Sequence, residues 1–262
     1  MDEKKVDKPP IFVLGCQRSG TTLLRRIIDS HPNIACPPES SFLVQLVRVY
    51  EIERARTGLE TMGFAESDIL NEMRSFAEKF FTGYREKKGK PRWADKTCPY
   101  LNHVQTIDAM FQKQAVYIGL VRHGLDVAYS LSELKLGVLK PYIEEGLDIE
   151  IAAIKFWNDQ NKKLINFKNQ VENRMHLIKY EDLTTQPEKV LPSVFSFLDE
   201  PWDDSILDYK TFDHDTGFED PKIEDYNKIQ PNSGNYKKWP LNIQKRLYQE
   251  ALSMFKRFEY EL

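Results

Sequence analysis

The chain is 262 residues long, carries 37 Lys and Arg against 40 Asp and Glu for a net charge of −3, and is 41% hydrophobic with 12% aromatic residues. That apolar content excludes a disordered or low-complexity chain, and the near balance of charge excludes a protein that grips nucleic acid through a global basic field. Any anion it binds must be held by a local site.

Residues 1–10 read as a charged tail closed by Pro9-Pro10, without the apolar h-region of a secretory leader, and residues 11–262 as one domain. Ile11-Phe12-Val13-Leu14-Gly15 is a short unbroken apolar run, the pattern of a strand buried on both faces and central in its sheet. After the loop Cys16 to Gly20, Leu23, Leu24, Ile27 and Ile28 recur at helical spacing until His31-Pro32 stops them. Asn33 to Cys36 is a brief apolar segment, Pro37-Pro38 predicts a rigid loop holding Glu39, and a helix from about Ser41 to Arg56 carries Phe42, Leu43, Leu46, Val47 and Tyr50 on one face. A second amphipathic helix spans 66–83, an exposed Lys- and Gly-rich connection covers 83–91, and Arg92 to Lys96 is a short strand. Pro99 to Phe111 predicts a helix, and Ala115 to Val121 a second buried strand that ends at Arg122. Helices at 124–135 and 149–171, a strand at Met175 to Tyr180 and a helix from Gln186 to Leu198 continue the alternation. This order predicts the α/β class, as a P-loop-like three-layer α/β/α fold with a central parallel sheet. Residues 200–240 hold Pro201, Gly217, Pro221, Pro231, Gly234 and Pro240 with little periodicity, which predicts a long loop or lid, and Leu241 to Phe258 closes the chain as a helix. No apolar run approaches the roughly 20 residues of a membrane-spanning helix. Cys16, Cys36 and Cys98 lack C-x-x-C spacing, so reduced thiols, no metal site and a cytoplasmic location are expected.

Gly15-Cys16-Gln17-Arg18-Ser19-Gly20-Thr21-Thr22 fits G-x-x-x-x-G-x-[ST], with Thr21 where a Walker loop places its Lys. Between a buried strand and a helix, such a loop turns successive backbone N–H groups and the positive helix end toward an anion. Gln17, Arg18, Ser19, Gly20, Thr21 and Thr22 are therefore the expected oxyanion ligands; an ordinary capped helix after a Gly turn is the plainer alternative. A nucleotide triphosphatase would also want an acid at the end of a neighbouring strand to hold magnesium, whereas the strand at 115–121 ends in Arg122 and His123. A basic residue there prefers another phosphate to a metal. Arg122 and Ser130, one at a strand end and one two turns into the next helix, can reach a single anion at the carboxyl edge of the sheet.

These residues resemble the sulfotransferases that use 3′-phosphoadenosine 5′-phosphosulfate (PAPS). In that family a strand, a [K/R]-S-G-T-T loop and a helix bind the 5′-phosphosulfate, and Arg18-Ser19-Gly20-Thr21-Thr22 matches the loop letter for letter. A strand ending in Arg with Ser eight residues on binds the 3′-phosphate there, and Arg122 with Ser130 is similar to it. Tyr180-Glu181-Asp182-Leu183 looks like a Y-E-D-L/M element whose Tyr lies near the nucleotide, so the matches span about residues 11–198. The resemblance implies a metal-independent sulfotransferase that leaves 3′-phosphoadenosine 5′-phosphate (PAP) as product. It implies an acceptor hydroxyl on a small metabolite, glycan or peptide tyrosine, and neither nucleic acid nor membrane as partner.

Sulfuryl transfer needs a base for the acceptor's proton and cations for the charge that grows on the leaving phosphate. The cytosolic small-molecule branch carries K-T-H with His as base, but the corresponding stretch here is Lys96-Thr97-Cys98. The protein-tyrosine branch has Arg in the loop, a Glu after the first helix and a Lys from an N-K-D-P element. Arg18, Glu39 within Cys36-Pro37-Pro38-Glu39-Ser40, and Lys96 within Asp95-Lys96-Thr97 are similar to these, so the resemblance leans to that type. It implies Glu39 as base, with Arg18 and Lys96 on the sulfate and the bridging oxygen. The base role requires partial burial, because a fully solvated carboxylate matches a phenol or alcohol poorly near neutral pH. Glu39 as a mere helix-start carboxylate and Lys96 in a surface pair with Asp95 are the plainer alternatives. Ser233 to Trp239 sits where family members have a lid over the 3′-phosphate, with Gly234 and Lys237 or Lys238 as its expected ligands. The eukaryotic enzymes of the protein-tyrosine type carry an N-terminal membrane anchor that is not seen here, so a soluble relative is implied. A nucleotide-dependent kinase with a degenerate Walker loop and a non-catalytic nucleotide-binding scaffold are the competing functions.

Overall fold

The computed structural model describes residues 8–262, so residues 1–7 of the expected tail lie outside the described residues. Residues 8–10 are tied down: Lys8 Nζ reaches Glu200 at 3.2 Å, and the Pro9 carbonyl accepts from Arg92 Nε at 2.8 Å.

β1 (Ile11–Gly15) runs into α1 (Thr21–Asp29) and then the two-residue β2 (Ile34–Ala35). Next come α2 (Phe42–Glu51), α3 (Glu53–Thr61), α4 (Glu66–Lys87), β3 (Arg92–Lys96), α5 (Val104–Met110) and β4 (Val116–Val121). The second half holds α6 (Gly124–Glu133), α7 (Lys140–Glu144), α8 (Ile149–Val171), β5 (Met175–Lys179), α9 (Tyr180–Thr185) and α10 (Pro187–Phe197), and closes with α11 (Leu241–Glu250) and α12 (Leu252–Arg257). The five strands are all parallel in the order β2-β3-β1-β4-β5, which makes β1 the middle strand.

The unbroken apolar run of β1 follows from that position, since its alternate residues feed two separate cores. Phe12 and Leu14 pack with Tyr100, Tyr117, Trp157 and Phe167 on one face; Ile11 and Val13 pack with Leu24, Ile28, Leu191 and Phe195 on the other. From β1 the chain goes first to β2 and β3 on one side and later to β4 and β5 on the other. The topological switch point therefore falls at the carboxyl end of β1, where an open parallel sheet leaves a crevice. Pairing Val13 with Lys96 and Gly15 with Leu120 brings the ends of β3 and β4 to that same edge.

Four boundaries differ from the sequence expectation. The helix expected over 41–56 breaks at Ile52, whose ψ of 108° is extended, and restarts as α3. α4 continues past its buried stripe of Ile69, Met73, Ala77 and Phe81 and through Gly83 to Lys87, where Arg85 and Lys87 suit the carbonyl end of the helix. The stretch 99–111 divides into a 3-10 turn (Cys98–Asn102) and α5 at His103, and the last helix divides at Ala251. Within 200–240 the chain makes three 3-10 turns, at Asp204–Thr211, Pro221–Asp225 and Asn235–Lys238. No helix among the described residues is long and apolar enough to cross a membrane.

Candidate active site

The loop after β1 is a tight turn, with Ser19 N donating to the Cys16 carbonyl at 3.1 Å and Arg18 in the left-handed region at φ 70°. Gly20, at φ 91°, begins α1, and no side chain caps the helix, so its first N–H groups and positive dipole end face the crevice. A Cβ on Gly20 would stand 2.5 Å from Tyr180 Cδ2, so the ring of Tyr180 at the start of α9 lies directly on the glycine. The Arg122 guanidinium at the end of β4 stacks over that ring, 4.3 Å from its centroid. Arg122 also donates Nη1 to the Arg18 carbonyl at 2.9 Å and Nη2 to the Asn232 carbonyl. Arg18 in turn donates Nε to Ser130 Oγ at 2.9 Å and pairs Nη2 with Asp220 at 2.9 Å. Four segments far apart in sequence, around Arg18, Arg122, Tyr180 and Asp220, thus meet at one cavity of about 1030 Å³. Arg122 Nε is buried without a protein partner, and the uncapped helix end suits phosphate or sulfate oxygens.

A second group lies at the end of β3. Lys96 Nζ donates to Glu39 Oε1 at 2.7 Å and stands 3.5 Å from Thr22 Oγ1 in the loop. Cys98 Sγ reaches the same Glu39 oxygen at 3.3 Å and Thr21 Oγ1 at 3.7 Å. Both donors fall on Oε1, leaving Oε2 as the oxygen to accept another proton. The Lys96 side chain is 1% exposed and that of Glu39 19%. Burial opposes the Lys96 charge, but Cys98 and Glu39 beside it outweigh burial and raise its pKa. Burial pushes the Cys98 thiol up to about 11, with Lys96 opposing and Glu39 assisting, so Cys98 is a neutral donor at neutral pH. The Glu39 backbone N–H donates to the Phe218 carbonyl at 3.0 Å, which pins the Pro37-Pro38 turn to the 200–240 segment. Neither plainer alternative describes this corner. Glu39 precedes Ser41, the residue before α2, by two positions and spends Oε1 on Lys96, while Asp95 turns away to Ser40, Thr97 and Tyr100.

A model described as the sulfotransferase family matches residues 9–204. The chain belongs to the sulfotransferase family. Protein-tyrosine sulfotransferase 1 of Danio rerio is 27% identical over 210 residues, which are 78% of this chain and 57% of that protein. The protein-tyrosine sulfotransferase of Drosophila melanogaster is 26% identical over 212 residues, 79% of this chain and 41% of that one. The chain thus spans about half the length of these curated relatives. Two solved sulfotransferase domains share its fold. The one from the curacin biosynthetic pathway has a TM-score of 0.68 at 23% identity and covers 97% of this chain and 99% of its own. The one from the Synechococcus PCC 7002 olefin synthase has a TM-score of 0.69 at 22% identity, with coverages of 100% and 98%.

Of the residues that the sulfotransferase resemblance singled out, Gln17, Arg18, Gly20, Thr21, Thr22, Glu39, Arg122, Ser130 and Tyr180 line the one cavity. Ser19 and Lys96 are buried and do not line it. Gly234 and Lys237 are not brought to the wall. Gly234, at φ 84°, turns the chain and donates its N–H to Asp126 at 2.9 Å, and Lys237 is exposed away from the cavity. Lys238 lines the cavity instead, 5.6 Å from the Tyr129 ring centroid, together with Asn232 and Asn235. Consecutive side chains of a 3-10 turn diverge by about 120°, so only one of two adjacent lysines can face in. Two residues of the site were missed. Cys98 had a signal, the third place of K-T-x where a relative branch carries His; Asp220 had none. Cys16, beside the loop, is buried with its thiol pKa raised well above the usual range by burial, and serves packing.

Proposed function

We propose that the chain transfers a sulfuryl group from PAPS to an acceptor hydroxyl. The observation that carries this reading is the shared cavity, with an oxyanion loop on one wall and the Glu39–Lys96–Cys98 corner beside it. A solved sulfotransferase of this fold from mouse, complexed with PAP, supports the nucleotide (TM-score 0.52, 17% identity, covering 95% of this chain and 85% of its own).

When bound, the donor supplies a sulfuryl group on a phosphate leaving group. Arg18, Thr22 and the open end of α1 would hold that anionic end, while Arg122, Ser130 and Tyr180 would hold the 3′-phosphate and its nucleoside. Glu39 Oε2 accepts the acceptor's proton, a role that its partial burial and its two donors on Oε1 leave open. Lys96, between Glu39 and Thr22, would offer its charge to the bridging oxygen, an interaction that strengthens as that oxygen becomes negative in the transition state. Thr21 in place of a Walker Lys, and Arg122 where a magnesium-binding acid would stand, count against the kinase reading.

The protein-tyrosine sulfotransferases among the curated relatives bring the phenol of a peptide tyrosine forward as the first acceptor to try, ahead of metabolite and glycan alcohols. Cys16, Cys36 and Cys98 are free thiols, which supports a reducing compartment and the cytoplasmic location we infer.

The test is calorimetric titration with PAP, with and without magnesium and against ATP, followed by PAPS-dependent sulfation of an acceptor panel. Metal-independent PAP binding is expected. Glu39→Gln should retain PAP affinity within about threefold and lose at least about a hundredfold in turnover. ATP preferred with magnesium would overturn the reading, and Glu39→Gln at wild-type turnover would remove Glu39 as base.

A further inference from the structure

The loop that should hold an anionic donor already faces an anion of the protein's own. Asp220 Oδ2 lies 2.9 Å from Arg18 Nη2, while Ser130 Oγ accepts from Nε of the same guanidinium. An isolated acid opposite an oxyanion loop opposes the loop's purpose, so its placement needs a reason. Asp220 is held there rather than drifting in. Its Oδ1 accepts from Lys222 N at 3.3 Å, and its own N–H approaches Thr22 Oγ1 at 3.4 Å. The residues around it are fastened to the same helix: Glu219 pairs with Arg25 at 2.5 Å and Arg26 at 2.6 Å, and Glu224 pairs with Arg26 and with Lys210. Arg25 and Arg26 are buried, as is Glu219 at 6% side-chain exposure. Asp220 is 29% exposed, opens onto the cavity, and can release Arg18 without the segment leaving α1.

We infer that Asp220 is an internal counter-anion of Arg18 which the anionic end of the nucleotide must displace, so that it weakens nucleotide binding and speeds product departure. The inference rests on the proposed function for the identity of that nucleotide. A phosphate or phosphosulfate bears more charge and more acceptor oxygens than one carboxylate, so it wins Arg18 when present. As the product leaves, Asp220 recaptures the guanidinium and spares it an unpaired, half-buried state. Sulfotransfer ends on a nucleotide that keeps its two phosphate groups, so a competitor for one of their cations acts directly on turnover.

The decisive variant is Asp220→Asn, which removes the charge but keeps an N-cap side chain for Lys222. PAP binding, measured by calorimetry, should tighten by roughly twofold to fivefold, the range for one partly exposed ion pair, and PAP dissociation in stopped flow should slow by a similar factor. Glu224→Gln is the control, because Glu224 anchors the same segment but does not line the cavity; PAP affinity should stay within about twofold of wild type. Unchanged or weaker PAP binding by Asp220→Asn, with a wild-type melting profile, overturns the inference, as does equal tightening in Glu224→Gln. If wild type itself does not bind PAP, the proposed function fails and the inference fails with it.

Discussion

Substituting Gly20→Ala separates the two demands that the loop makes on this residue. The first is conformational: at φ 91° an alanine pays about 1 kcal/mol for the left-handed region. The second is steric, because the new Cβ would meet Tyr180 Cδ2 at 2.5 Å and Cε2 at 2.7 Å. Forcing a methyl into such a packed contact costs a further 1–3 kcal/mol or so. Gly63 supplies the comparison, having φ 95° and no atom within 4 Å of its Cβ position, so Gly63→Ala carries the conformational cost alone. At about 2–4 °C per kcal/mol for a chain of this size, Gly63→Ala should lower the Tm by a few degrees and Gly20→Ala by roughly 4–16 °C. The functional readout is sharper. To admit the methyl, Tyr180 must move, and Arg122 stacks on Tyr180 while holding the Arg18 carbonyl. PAP affinity by calorimetry should therefore fall about tenfold or more in Gly20→Ala and stay unchanged in Gly63→Ala. Equal Tm losses in the two variants, or wild-type PAP affinity in Gly20→Ala, would refute the claim that Tyr180 is seated on the glycine.

Two further outcomes follow from titrating groups at the end of β3. Burial pushes the Asp95 carboxyl from 3.8 up to about 7, against the pull of hydroxyl donors from Tyr100, Ser40 and Thr97. Between about pH 4 and 7 the native chain keeps a proton that the unfolded chain has lost, so this residue's contribution to stability falls as pH rises through that window and is flat above it. Asp95→Asn does not titrate, so its Tm relative to wild type should climb from pH 5 to pH 8; a flat or falling difference would sink the assignment. Cys98, with its thiol held up to about 11, should react with N-ethylmaleimide at least about tenfold more slowly than an exposed cysteine at pH 7.5, and PAP should slow it further. Mass-spectrometric mapping of the alkylated peptide checks both points, and fast labelling indifferent to PAP would place the thiol outside the site.

The parts of the fold and site that were legible in the sequence are those written by neighbours in the chain. The two-faced burial of β1 dictates an unbroken apolar run, the phosphate-binding turn dictates Gly15 and Gly20 at fixed spacing, and the alternation of strands and helices dictates a parallel sheet. Arg122 and Tyr180 were findable because each follows directly on a strand end, positions that a parallel sheet gathers along one edge, and Ser130 because it lies two turns into the helix that follows Arg122. The break at Ile52 was hidden because no Pro or Gly marks it, and the choice of Lys238 over Lys237 depends on the exact phase of one 3-10 turn. The acids of the 200–240 segment were hidden for a stronger reason. Glu219, Asp220 and Glu224 stand more than 190 residues from Arg18, Arg25 and Arg26 in sequence, and alone they read as solvated surface. Only the topology turns them into a clamp, because α1 presents its buried arginines to the segment that crosses its amino-terminal end. The loop's affinity for its anion is therefore set twice, by a local motif that attracts it and by a distant carboxylate that competes with it.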